Sequence, residues 1–429
     1  MTTPILAGLT FVTSLGLILS GKVHRTIVVM VGAAVMMGIG LALGFYSEAQ
    51  AVEAIDFATL GLLTGMMILM KLLEPTGVFE YLALRAGQVS RGDPWRLMVL
   101  LAVGTSVVSL FLSNVTTVML VAPVTILLAE LLDTSPVPFL MAEALLSDTA
   151  GVATSVGDPA SVLISTGANL TFVDFLTHSL PIVAVASAAA LIGMRFIFRQ
   201  ELAADTRNPE ALLKLNPVEA LSDLQTARKV LIVLGVAVGF FFLQDPLNIS
   251  PAFVAMAAAA AALALVRPNI HEVMHGLEWD VILFLSGLFV MVGGLERSGV
   301  LEAIAGVVAH LGSLHPALLG IAVIWLVAAL SALVANIPVT VVLIPVIAGL
   351  GRAGVNIRPL WWALAFGAGF GGNATLMGSS ANVVIVSLSE KTRTPLTPML
   401  WTRWGLPIML VTCTVASILY ALLFRWLGR

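Results

Sequence analysis

The stretch Ser147-Asp-Thr-Ala-Gly-Val-Ala-Thr-Ser-Val-Gly-Asp-Pro-Ala-Ser-Val-Leu-Ile-Ser165 is too polar, and too rich in Gly and Pro, for an uninterrupted helix, yet apolar runs flank it on both sides. Irregular backbone at membrane depth survives only where protein buries it or where it lines a wet cavity. The stretch therefore reads as a broken helix at a binding site.

Composition supports the membrane setting. Of 429 residues, 59% are hydrophobic and 10% charged, against roughly 25% charged in soluble domains. Apolar segments recur from end to end, so the length is used for helices and no sizeable soluble domain is expected. The opening Met1-Thr2-Thr3-Pro4 has no basic region ahead of its apolar run, so the first helix is expected to stay uncleaved. One cysteine, Cys413, rules out a disulfide framework and any multi-thiolate site, and reads as a small core residue.

Spanning helices are expected at about 5–20, 26–44, 57–73, 178–195, 229–243, 252–266, 280–295 and 405–424, with interrupted spans at 138–165 and 359–386. Two apolar blocks, 97–132 and 317–350, are each too long for one span of ~20 residues. Each has only a short polar tip in its middle, Ser113-Asn114-Val115-Thr116-Thr117 in the first and Ala335-Asn336-Ile337-Pro338 in the second. Two half-length helices meeting at such a tip make a re-entrant hairpin.

The two halves repeat one another. Thr64-Gly65 matches Ser286-Gly287, Glu74 matches Glu296, Gly77-Val78 matches Gly299-Val300, Asn114 matches Asn336 and Pro123 matches Pro345, all at a separation of 222. With a one-residue gap, Ala153–Val162 matches Ala374–Val383. The expected fold is all-α and polytopic, with about ten transmembrane helices in two repeats. Residues 1–198 form the first (hairpin 97–132, broken helix 138–165), 199–227 a cytoplasmic linker with Asn208-Pro209 and Asn216-Pro217, and 228–429 the second (hairpin 317–350, broken helix 359–386). Five crossings per half invert the second relative to the first, the pattern of a secondary transporter.

With the N-terminus outside, 16 of the 21 basic residues fall in inner loops, and only Arg297, Arg352, Arg358, Arg425 and Arg429 fall outside. The positive-inside rule then places both termini on the extracytoplasmic side.

No phosphate loop, nucleophile elbow or metal-spaced cluster stands out, so no enzyme activity and no cofactor or metal are expected. His271 and His275 fall in a short loop after Pro268 and read as solvated; His178, His310 and His315 read as interfacial. The tips and breaks carry more. Exposed helix ends there join Asn114, Thr116 and Thr117, or Asn336 and Thr340, as neutral donors and acceptors. Gly151, Gly157 and Pro159 permit the first break, and Gly367, Gly369, Gly371, Gly372 and Gly378 the second. A carboxylate at mid-membrane costs ~2.5–3.5 kcal/mol on insertion scales, so Asp148 and Asp158 point to ion or proton handling, Asp148 having the alternative of a helix-end carboxylate. Asp158 faces Ser379 at the matching position, an asymmetry that suits one coupling ion or proton. Glu74 and Glu296 read as packing or capping groups, Asp56 and Glu278 as loop-edge groups, and no Lys or Arg is expected at the site.

On Ser113-Asn114-Val115-Thr116, Gly157-Asp158-Pro159, Asn336-Ile337-Pro338 and Gly371-Gly372-Asn373-Ala374-Thr375 with Gly378-Ser379-Ser380-Ala381-Asn382, the chain resembles the ion transporter superfamily. That superfamily holds bacterial arsenite permeases, sodium/proton antiporters, silicon efflux carriers, the melanosomal P protein and dicarboxylate/sodium symporters. The resemblance implies substrate contacts at Asn114, Thr116, Thr117, Gly157, Asp158, Asn336, Asn373, Thr375, Ser379 and Asn382; the buried carboxylates Asp158 and Asp148 are the expected coupling groups. The second tip departs from the Ser-Asn-Thr triplet of dicarboxylate carriers. The expected function is proton-coupled efflux of arsenite or antimonite across a bacterial inner membrane. The alternatives are sodium/proton antiport and, after it, dicarboxylate or silicate transport. Protons, a small inorganic solute and the bilayer are the expected partners; a homodimer and an arsenite ATPase stay open, and no nucleic acid is expected.

Overall fold

The computed structural model describes residues 2–20, 22–203, 212, 215–300, 315–352, 354–390 and 392–428. The Asn208-Pro209 turn, Arg207, Lys214, His310, Lys391 and Arg429 lie outside the described residues.

Among the described residues, the longer helices are α1 (Thr2–Ser20), α2 (Arg25–Leu43), α3 (Phe57–Leu73), α4 (Val78–Ser90), α5 (Pro94–Ser109), α6 (Asn114–Leu131), α7 (Val137–Gly151), α8 (Pro159–Ala168) and α9 (Leu180–Ile197) in the first half. The second half has α10 (Leu224–Phe242), α11 (Pro251–Val266), α12 (Trp279–Arg297), α13 (Pro316–Val334), α14 (Asn336–Arg352), α15 (Arg358–Gly371), α16 (Ser380–Ser389) and α17 (Pro398–Leu422). Eight described helical segments are long and apolar enough to cross a membrane. The helix ends follow local chemistry. Ser113 caps α6 through Thr116 N, Asp93 caps α5 ahead of Pro94, and Gly44 closes α2 in the left-handed region at φ 73°. α4 is an addition to the expected spans. It buries Phe79, Ala83 and Gly87 and keeps Glu80 and Arg85 on the rest of its surface.

The hairpins and breaks fall where polar tips and Gly or Pro interrupt the apolar runs. α5 and α6 meet across Leu110–Ser113, while α13 and α14 meet across one residue, Ala335, at φ 76°. The broken helices are wrapped by protein: every residue of α7 and every residue of α15 after Arg358 is buried. That satisfies the condition for irregular backbone at this depth.

The packing is exchanged between the halves. Hairpin arm α5 lies on α7, and its repeat mate α13 on α15. Arm α6 of the first half lies on α16 of the second, and arm α14 of the second on α8 of the first. Likewise α3 packs on α11 and α12 on α2. One core is built mainly from α1–α3 and α10–α12, with Met36, Leu69, Phe241 and Leu285 at its centre. Two more lie in the hairpin and broken-helix group, around Phe139 and Trp401 and around Trp362 and Phe366. The molecule is thus two helix groups, one carrying the hairpins and breaks and the other flanking them.

Candidate functional site

Each broken helix restarts with the same geometry. Asp158 caps α8 at φ −140°, ψ 141°, its Oδ2 accepting from Ala160 N at 3.1 Å. Ser379 caps α16 at φ −145°, ψ 143°, its Oγ accepting from Ala381 N at 3.2 Å. Carbonyls at the hairpins and the breaks are met by side chains at matched positions of the two repeats. Thr154 Oγ1 donates to Leu110 O, and Thr375 Oγ1 to Ala332 O at 2.5 Å. Ser161 Oγ donates to Gly151 O at 3.2 Å, and Asn382 Nδ2 to Gly372 O at 2.9 Å. Close approach makes two glycines obligatory: a Cβ at Gly157 would lie 2.6 Å from Ser109 O, and one at Gly378 would lie 2.4 Å from Gly372 O.

The four tips and breaks converge on the two aspartates. Asn114 Nδ2, at the first tip, donates to Asp148 Oδ1 at 2.9 Å and to Asp158 Oδ1 at 3.3 Å. Asn336 Nδ2, at the second tip, donates to Asp158 Oδ2 at 3.1 Å. Ser379 Oγ donates to Asp148 Oδ1 at 2.8 Å. Asp148 thus lies inside α7, bonded to the first tip and the second break, and caps no helix. Asn114, Asp158, Asn336 and Ser379 line a cavity of about 370 Å³ between the two helix groups. Asp148 Oδ2 and Asn114 Oδ1 are buried with no hydrogen-bond partner among the described residues. Acceptors left free in this way suit a proton on Asp148 or a bound cation.

The other expected contacts lie apart from this cavity. Thr116 Oγ1 donates to Glu278 Oε1 at 2.9 Å, and both line a neighbouring vestibule of about 200 Å³ with Gly157. Thr117 is fully buried on α6. Asn373 donates to Thr149 Oγ1 at 3.0 Å, Thr375 bonds the Ala332 carbonyl of α13, and Asn382 bonds the Gly372 and Thr375 carbonyls of the second break. None of these four lines the cavity.

Four groups change or add to the sequence reading. A cation does reach the cavity: Arg25, at the start of α2, lines it and donates from Nη1 to Ser380 Oγ at 3.0 Å. It was hidden because the packing of α2 on α12, far along the chain, brings it there. Glu278 sits at the loop edge before α12, and it also lines the cavity. His178 is buried, its ring 5.4 Å from Trp362 and 4.7 Å from Trp426, in a widened π-type turn before α9. Glu143 in α7 is fully buried and takes a hydrogen bond from Thr125 Oγ1 of α6. A lone acid in an apolar run gave no signal beyond its charge. Elsewhere Lys71 pairs with Glu74 at 2.7 Å, Asp56 caps α3, and His315 caps α13. No group of three His, Cys, Asp or Glu placed to hold a metal occurs among the described residues.

Comparison with known proteins matches this architecture. The chain is 36% identical to the uncharacterized transporter Rv2685 of Mycobacterium tuberculosis, over 99% of this chain and 98% of that protein. It is 34% identical to the 46 kDa membrane protein of Mycobacterium leprae, over 97% of each. It is 31% identical to the P protein of Sus scrofa, over 93% of this chain and 57% of that protein. The fold is similar to that of the Alcanivorax borkumensis YdaH transporter (TM-score 0.62, 15% identity, 86% of each chain). It is also similar to that of Neisseria gonorrhoeae MtrF (TM-score 0.59, 14% identity, 86% of this chain and 81% of that one). The family model described as a citrate transporter, CitMHS, matches residues 15–367, and the protein is a membrane transporter that belongs to this family of the ion transporter superfamily.

Proposed function

We propose that the protein is a proton-coupled carrier that works by alternating access, with Asp158 and Asp148 as the proton-handling pair. The carrying observation is the amide of Asn114, which donates to both carboxylates at 2.9 and 3.3 Å, while among the described residues neither carboxylate forms an ion pair with a Lys or Arg. Two carboxyl groups sharing one donor hold an added proton more cheaply than two charges. Asn336 ties Asp158 to the opposite repeat, so a change of charge there is felt by both hairpins. The hairpin-bearing group moves against the flanking group, in a bacterial inner membrane with both termini outside.

The solute is arsenite or antimonite, moved outward as a small neutral trihydroxide that the amides and hydroxyls of Asn114, Asn336 and Ser379 can bind. A second reading, a small carboxylate, is favoured by Arg25 at the cavity wall and by the family's description. Everted vesicles with an imposed pH gradient test both. Gradient-dependent arsenite uptake supports the first, and citrate uptake supports the second. No solute uptake with robust sodium-driven proton movement overturns both in favour of an antiporter.

A further inference from the structure

Glu278 and Asp56 stand 222 residues apart, in the register of the repeat, and each precedes the equivalent helix, α12 and α3. Asp56 uses its carboxylate as an ordinary cap, its Oδ1 accepting from Ala58 N at 3.0 Å and Thr59 N at 3.1 Å. Glu278 holds the cap position of α12 and makes no such bond. Its side chain turns away to take the hydrogen bond of Thr116 Oγ1 at the first hairpin tip. A carboxylate that forgoes the amides of its own helix is placed for another task.

Its position supplies one. Glu278 lines the vestibule that holds Lys71 and Glu74, and it also lines the cavity that holds Asp158. It thus stands on the wall common to both. The charged groups facing it are Arg25 of α2, Asp280 of its own helix and Asp158 of α8 on the cavity side, with the Lys71–Glu74 pair of α3 in the vestibule. Burial raises the Glu278 acid above the usual glutamate value, and the Thr116 hydrogen bond works against that shift, so its neutral form persists to higher pH than that of a solvated glutamate.

We propose that Glu278 is the relay carboxylate through which protons pass between the Lys71-lined vestibule and Asp158. The proposal rests on the reading of Asp158 as the coupling group. In the relay, hydronium in the vestibule protonates Glu278 and leaves as water, and the proton then passes to the Asp158 carboxylate while Glu278 returns to its own carboxylate form. Outward transfer runs the same steps in reverse. Thr116 keeps the Glu278 carboxyl beside the tip that also bears Asn114.

The test uses protons alone as the probe. Purified full-length protein in liposomes, adsorbed on a solid-supported membrane, is given a pH jump, and the charge displacement is followed. The wild type gives a transient current, which Asp158→Asn abolishes. Glu278→Gln, which still accepts from Thr116, slows the transient on the order of a hundredfold, the scale on which a positioned acid–base group acts. Glu278→Asp restores part of the rate, and the unfolding midpoint in detergent is unchanged for both. A wild-type transient in Glu278→Gln overturns the relay. A full transient in Asp158→Asn overturns the aspartate reading instead, so the two failures are distinct.

Discussion

Asp158 and Ser379 occupy the same point of the two repeats, with backbone angles that agree within a few degrees and the same cap on the second amide of the helix, and only Asp158 carries a charge. The duplicated frame makes two equivalent helix starts. In the proposed mechanism, one carboxylate in place of one hydroxyl turns a pair of structural caps into one coupling site and one supporting donor. Ser379 supplies that support directly, through its bond to Asp148. Asp148 has no acidic mate either, since Gly369 stands at its matched position.

Asp158→Asn separates capping from titration. Asn is as good a cap as Asp, so helix α8 and the fold persist. The variant has no carboxyl to protonate, and solute uptake driven by a pH gradient falls to the level of empty vesicles. Solute–solute exchange, which needs no net proton movement, continues. Transport assays in everted vesicles, with and without a gradient, check both halves of the statement. Gradient-driven uptake at the wild-type rate would sink the assignment.

Asn114→Ala removes the donor shared by two buried carboxyl groups. Leaving a buried polar group unsatisfied costs about 1–3 kcal/mol, more when it is charged. The unfolding midpoint in detergent drops accordingly, and the drop is smaller in a background that also carries Asp158→Asn. A double-mutant cycle on these two residues gives the coupling energy.

Gly157→Ala and Gly378→Ala each push a methyl group against a carbonyl oxygen, at 2.6 and 2.4 Å. Overpacking of this kind costs about 1–3 kcal/mol. Gly16→Ala is the control, with nothing within 4 Å of the added carbon and an α-helical setting that favours Ala. The first two lower the unfolding midpoint and the third leaves it level or raises it.

How far the sequence discloses this site depends on whether a residue's role is written in its own neighbourhood. The breaks at Gly157-Asp158-Pro159 and Gly378-Ser379 and the tips at Asn114 and Asn336 are legible, because polar and helix-breaking residues contradict the apolar runs around them. Their convergence follows from the repeat. Arg25, Glu143 and His178 are not legible in this way. Arg25 has the local look of an inner-loop charge and becomes a cavity residue only because α2 packs on α12. Glu143 is one acid in an apolar helix whose partner, Thr125, lies on another. His178 reads as interfacial until Trp362 and Trp426 close over it from distant parts of the chain. Thr375, Asn382 and Asn373 show the opposite case. Their motif is plain, and the structure uses it to satisfy backbone and hydroxyl groups around the break.

Arg25→Gln distinguishes the two solutes. The guanidinium lies at the cavity wall, hydrogen-bonded to Ser380 Oγ at 3.0 Å and 3.7 Å from Asp280, with its face 5.6 Å from the Phe284 ring. An incoming carboxylate can take over the donors now directed at Ser380, and a charge-assisted bond of this kind contributes about 1.5–3 kcal/mol. Gln keeps a donor for Ser380 and loses the charge. For a carboxylate solute, KM therefore rises on the order of ten- to a hundredfold with little change in kcat. For a neutral trihydroxide there is no charge to lose, and KM stays near the wild-type value. Initial rates of citrate and of arsenite uptake, measured over a range of concentrations in the same vesicle preparation, read out the difference. An equal loss for both solutes would mean that Arg25 serves the closure of α2 onto α16 and takes no part in choosing the cargo.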